Sequence, residues 1–186
     1  MIKAKLIILA LFFCTMLHSL DFRDYNWGDS KEEVLKTEQR EPLLNQKEFL
    51  VYEGVVAKFP ATIIYTFLED ELVRGMYVLQ TEYEKNNDYI MDFFYLQKLL
   101  TQLYGKPMEE LDITKSMVEK DRRGRYGKEI AQGERILQNK WKLERTLIIL
   151  TLDGKENKLS IRVNYSSFFL LEHLQKKQRE DLLRGL

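Results

Sequence analysis

The side chains able to do chemistry are few and scattered. Two acidic runs, Glu69-Asp70-Glu71 and Glu109-Glu110-Asp112, supply carboxylates. Glycoside hydrolysis needs two carboxyl groups flanking one bond at a set separation. No spacing here makes two of these converge, so both runs read as solvated turns. The histidines are His18, in the apolar opening of the chain, and His173, beside Glu172 and close to Gln175. A Ser-His-Asp triad would have to use His173, and the chain has no G-x-S-x-G elbow to present the serine. Metal binding by a pair of histidines is excluded by number. Gly127-Lys128 is not a phosphate-binding loop: Arg122 stands where the first glycine is needed, and Glu129 where Ser or Thr would meet Mg²⁺. No catalytic, cofactor-binding or metal-ligating residue is assigned, and no cofactor is expected.

The densest charge feature is basic. Lys120, Arg122, Arg123, Arg125 and Lys128 lie within nine residues, inside a stretch from Lys115 to Arg145 with ten basic and five acidic residues. These five are candidate contacts for an anionic partner such as a phospholipid headgroup or a cell-wall polymer; the plain alternative is a solvated loop. The whole chain balances 29 basic against 29 acidic residues. Nucleic-acid binding, which needs a basic surplus, is therefore not expected.

The N-terminus carries an address. Lys3 and Lys5 precede the run LIILALFFCTML from Leu6 to Leu17, and polar sequence begins by Asp21. A basic start, an apolar stretch of about a dozen residues and a polar exit describe a secretory signal peptide. The run is shorter than the roughly 20 residues that span a bilayer. Residues 1–20 are thus read as signal, with cleavage after Ser19. Two alternatives stay open: retention of the segment as an anchor, or lipidation of Cys14, although bulky Phe12 and Phe13 precede it. Cys14 is the only cysteine, so a processed chain has no thiol chemistry. Losing Lys3 and Lys5 leaves 27 basic against 29 acidic residues, a net charge near −2.

Residues 21–186 read as a single α+β domain. Ser30 and Glu33 match a capping box before a short helix that Pro42 ends. Alternation over 48–81 predicts three antiparallel strands. Tyr89, Phe93, Leu96, Leu100 and Leu103 form an apolar stripe on a central helix over 87–104, with Asp92 off it; Gly105 and Pro107 stop the helix. A polar excursion over 108–138 follows. Strands at 139–152 and 158–165 are joined by a turn at Asp153-Gly154, and a last helix runs from 168 to 184 with Ser167 as its cap. The expected order is α-β-β-β-α-β-β-α: an antiparallel sheet of about five strands with helices on one face. No internal repeat is visible.

The string Trp27-Gly28-Asp29-Ser30-Lys31-Glu32-Glu33-Val34, the Tyr104-Gly105-Lys106-Pro107 segment after the central helix and the late Trp141 have a common likeness. They resemble small exported bacterial proteins of unassigned function, loosely similar to envelope lipoproteins of the outer-membrane-assembly type. The glycine-bearing turn of those proteins is here Phe67-Leu68-Glu69-Asp70-Glu71-Leu72, without the glycine. Trp27, Gly28, Ser30, Glu33, Gly105, Pro107 and Trp141 also have a purely structural reading as packing, turn and capping residues. The resemblance implies a periplasmic or envelope-associated, non-enzymatic binding module. Its partner would be a protein or an envelope component, with membrane contact possible. An envelope hydrolase using carboxylates is the enzymatic alternative. Asn164-Tyr165-Ser166 is formally a glycosylation sequon, of consequence only in a eukaryotic host.

Overall fold

The computed structural model describes residues 20–114 and 125–170, together with positions 172, 173, 176 and 183. Helix α1 (Lys31–Glu38) starts where the capping box places it. The Glu33 amide donates to Ser30 Oγ at 3.3 Å, and the Ser30 amide donates to Glu33 Oε2 at 2.8 Å. Strands β1 (Leu44–Gln46), β2 (Phe49–Val56), β3 (Phe59–Leu68) and β4 (Glu71–Leu79) follow as an antiparallel meander. Helix α2 (Asn86–Tyr104) buries Phe93, Leu96 and Leu100 and stops at Gly105, whose φ of 81° is a left-handed value. Its stripe is rotated from the expected one. Asp92 is buried and accepts from the Tyr83 hydroxyl, whereas Leu103 is 71% exposed.

The expected five-stranded order is wrong. The chain continues through β5 (Glu109–Thr114), α3 (Tyr126–Ala131), β6 (Arg135–Lys142), β7 (Thr146–Lys155) and β8 (Lys158–Ser167), giving one eight-stranded antiparallel sheet. Three misreadings have physical causes. Strand β5 is a sheet edge, so four of its six residues stay polar and the segment reads as a loop. The run 139–152 is two strands, broken where the Leu143 amide donates to the Thr146 carbonyl at 2.9 Å. Strand β1 is too short to show a period. The β7–β8 turn is Glu156-Asn157, with φ of 54° and 65°, rather than Asp153-Gly154, which lies within β7. Gly154 serves α3 instead: a Cβ there would sit 2.3 Å from the Ile130 carbonyl oxygen. The final helix is helical at 168–170, 172, 173, 176 and 183, and its cap bond runs from the Leu170 amide to Ser167 Oγ at 3.3 Å; the rest of 168–184 lies outside the described residues.

The strand order β1-β2-β3-β4-β8-β7-β6-β5 is two four-stranded meanders joined at their last strands, each preceded by a helix. The topology thus repeats where the sequence does not. Register lays a continuous row across one face: Leu50, Tyr65, Gly75, Tyr165, Ile148, Trp141. Apart from the glycine, each is a large buried side chain. The opposite row, Val51, Ile64, Met76, Asn164, Ile149, Lys140, Glu109, is half-exposed throughout. One face is therefore covered and the other open.

Two different covers share the buried face. Helices α2 and α3 pack on β6, β7 and β8. Over the other half lies the segment before α1, with Phe22, Tyr25 and Trp27 all buried, together with Val34 of α1. The Phe22 ring rests directly on Gly75 and meets Tyr65, Tyr77 and Tyr165 with centroids 5.1 to 5.5 Å away. A Cβ on Gly75 would lie 2.0 Å from Phe22 Cδ1. Trp27 Nε1 donates to Thr146 Oγ1 at 2.9 Å, tying this segment to β7. We expect Gly75→Ala to lower unfolding free energy by about 1–3 kcal/mol, and Phe22→Ala by about 3–5 kcal/mol. In a Phe22→Ala background the glycine substitution should cost almost nothing, because the clashing ring is gone. Urea denaturation of the four proteins measures this; additive losses would place the Gly75 cost elsewhere.

Candidate functional site

Helix α3 has only six residues, and it leaves a gap beside α2 over β5 and β6. The gap is a cavity of about 580 Å³. Its apolar walls are Ile90, Phe93 and Phe94 of α2, Leu137 of β6 and Tyr126 of α3. Asn87, Gln97, Glu110, Asp112 and Asn139 supply the polar part of the lining. Pockets of this size, mainly apolar with a few polar groups, are where small ligands bind.

The local backbone explains the polar wall. Glu110 and Asp112 are two apart on β5 and so share its cavity face, opposite Asn139 and Leu137 of β6 in register. Arg135, at the start of β6, is buried. Its Nη1 donates to both Asp112 oxygens at 2.6 Å, its Nε donates to Glu129 Oε2 at 2.7 Å, and its guanidinium lies 3.7 Å from the centre of the Tyr126 ring. The Glu110 carboxylate has no hydrogen bond or ion pair among the described residues. Asn139 is 4% exposed, and its Nδ2 is buried without a partner.

Gly127 allows α3 to close one side of the cavity. A Cβ there would fall 2.7 Å from Asn86 Cβ, and the Gly127 amide donates to Asn87 Oδ1 at 3.2 Å. A second cavity of about 400 Å³, beside Thr81, Tyr83 and Tyr89, is polar-walled and shallow in apolar surface.

A separate buried polar knot lies under the N-terminal segment. Glu38 accepts from the Tyr65 hydroxyl and the Arg40 guanidinium, with Arg23 Nε at 3.5 Å. Burial alone would raise the Glu38 carboxyl. The hydrogen bonds from Arg40 and Tyr65 and the charge of Arg23 outweigh it and hold the group below the usual carboxylate range. Burial and then the nearby Glu38 charge push the Tyr25 hydroxyl up to about 12. Burial, with the hydrogen bond to Glu38, raises Tyr65 further. The Glu38 carboxylate is held by Tyr65 and Arg40, Arg23 Nε has only its ion pair with Glu38, and the arrangement reads as structural.

No protein-family model, curated protein sequence or solved structure matches the chain. The geometry alone therefore carries the functional reading.

The residues singled out in the sequence separate into three groups. Lys120, Arg122 and Arg123 lie outside the described residues; Arg125 and Lys128 are exposed at α3, and neither lines the cavity. Glu69-Asp70-Glu71 does form a turn, with φ of 51° and 73° at Glu69 and Asp70. Glu109-Glu110-Asp112 does not: it is strand, with Glu109 paired to Lys140 at 2.7 Å on the open face. His173 is exposed. Among the string residues, Gly28 turns the chain at φ 95°, and Trp141 Nε1 donates to the Gly105 carbonyl at 2.9 Å. Asn139, Tyr126 and Arg135 escaped notice, since a lone amide, phenol and guanidinium carry no motif. The alternation Glu110, Leu111, Asp112, Ile113 was the one available signal.

Among the described residues no three metal-ligating side chains converge, and no helix is long and apolar enough to cross a membrane.

The Glu38 knot sets the acid limb of stability. A carboxyl held low in the folded state stabilises fully above its unfolded value of about 4.3, and the contribution is lost as pH falls through the folded value. Glu38→Gln should cost roughly 2–4 kcal/mol at pH 7 and flatten the loss of stability below about pH 4. Thermal unfolding across pH 2–7 tests this; an unchanged acid limb would remove Glu38 from the account.

Proposed function

We propose that the protein is an exported, non-enzymatic binding module of the periplasm or cell envelope, and that the cavity between α2, α3, β5 and β6 is its ligand site. The observation that carries the binding reading is this cavity of about 580 Å³, with apolar walls and, on one side, the buried Asn139 amide without a partner for its Nδ2 beside the exposed Glu110 carboxylate. A folded domain normally pairs its buried polar groups. Here the unpaired Asn139 Nδ2 lines open space wide enough for a small molecule.

Export is supported by the N-terminal pattern and by where the fold takes hold. The Asp21 carboxylate accepts from the Trp27 amide at 2.9 Å and from Thr146 Oγ1 at 3.1 Å, and it pairs with Arg145 at 3.1 Å. Removing residues 1–20 would leave every one of these contacts intact. The non-enzymatic part rests on the role of the carboxylates: Asp112 is held by Arg135, and Glu110 stands without a second free carboxylate beside it. The likeness to small exported bacterial proteins points the same way.

Expressed with its full N-terminus in a Gram-negative host, the protein should appear in the periplasmic fraction. Its intact mass should correspond to a start at Leu20 or Asp21. A cytosolic protein retaining residues 1–19 would overturn the export reading. A mass carrying lipid on Cys14, or membrane retention of the uncut chain, would replace it with an anchored form.

A further inference from the structure

We infer that the cavity selects a small organic cation: a primary ammonium group on an apolar alkyl or aromatic body. The inference rests on the cavity being the ligand site and names what the site takes. Charge decides the head group. Of the side chains lining the cavity only Glu110 and Asp112 carry charge, and both are carboxylates; Arg135 beside it pairs with Asp112 and with Glu129. Arg135 Nε and Nη1 donate to Glu129 and Asp112, and its flat face is stacked on Tyr126. Glu110, by contrast, faces the cavity as a carboxylate without a partner among the described residues.

Position decides the geometry. Glu110 and Asn139 are register partners on β5 and β6, so their side chains lie next to each other on the same face. An ammonium donates three hydrogen bonds. It can donate to the Glu110 carboxylate and to the Asn139 carbonyl oxygen, because the two orientations of an amide are isosteric and either atom can turn to the ligand. The apolar body of the ligand lies along Ile90, Phe93, Phe94 and Leu137. An anionic head group would meet Glu110 at short range and be rejected.

Three isosteric probes test this with the mature protein: 4-phenylbutylammonium, 4-phenylbutanol and 4-phenylbutanoate, titrated by calorimetry and by amide chemical shifts. The ammonium should bind about tenfold or more tightly than the alcohol, and the carboxylate should bind least. Glu110→Gln should bring the amine down to the affinity of the alcohol. Asn139→Leu should keep or raise thermal stability, since it removes an unpaired buried polar group, while weakening the amine several-fold. If all three probes bind alike with shifts at the cavity, cation selection is wrong and the cavity survives as a ligand site. If none binds, the ligand site falls, and cation selection falls with it. Tight amine binding unaffected by Glu110→Gln would also overturn the inference.

Discussion

The contact between the Phe22 ring and the bare backbone of Gly75 governs how the buried face of this sheet is covered. Gly75 occupies the middle of a row of large side chains running from Leu50 to Trp141. Without a gap in that row, no side chain from a covering segment could reach the sheet surface. The glycine makes the gap, and Phe22 fills it and touches Tyr65, Tyr77 and Tyr165 at once. A six-residue stretch thereby does for β2–β4 what a long helix does for the other half. The buried polar groups nearby follow from the same placement: Asp21 is drawn onto Thr146 and Arg145, and Arg23 onto Glu38.

The cavity follows from an unequal division of cover. On the β5–β8 half, α2 supplies most of the lid and α3 the remainder. Close approach at Gly127 and Gly154 presses α3 against α2 and β7, away from the middle of β5 and β6. The space left over is walled by whatever those two strands present. Since β5 is an edge strand with carboxylates on its inward positions, the wall is acidic and amide-bearing where the rest of the covered face is aromatic. Charged residues on an edge strand discourage pairing with another sheet. Here the same residues also give the cavity its polarity.

Legibility in the sequence tracked how regular each segment's surroundings are. The capping box at Ser30 and Glu33, the stop at Gly105 and the alternation of β2, β3 and β4 depend on neighbours in the chain, and each is found where local rules put it. The strand count failed because it depends on partners far away. Strand β5 is recognisable only beside β6, and the break at 143–145 only once Thr146 is seen bonded to Leu143 and Trp27. Gly154 reads in sequence as a turn residue, although its real constraint is a helix lying on it. Of the site, only the carboxylates were visible. Asn139 has meaning only when the backbone sets it opposite Glu110.

Two acidic centres in this molecule show why burial and function separate. Glu38 is surrounded by Tyr65, Arg40 and Arg23, and all its hydrogen-bonding capacity is used inside the protein. Such a group stabilises one conformation and has nothing left for a ligand. At the cavity the accounting is incomplete: Arg135 satisfies Asp112 and Glu129, but Glu110 and Asn139 remain over. Four buried side-chain polar atoms among the described residues lack a hydrogen bond, and Asn139 Nδ2 is the one in the wall of the larger cavity. An unpaired amide costs stability wherever it is enclosed. Replacing it with leucine would fill the same register position at lower cost to the fold. The fold instead keeps an amide beside a free carboxylate and an opening, and that combination favours a polar group arriving from outside.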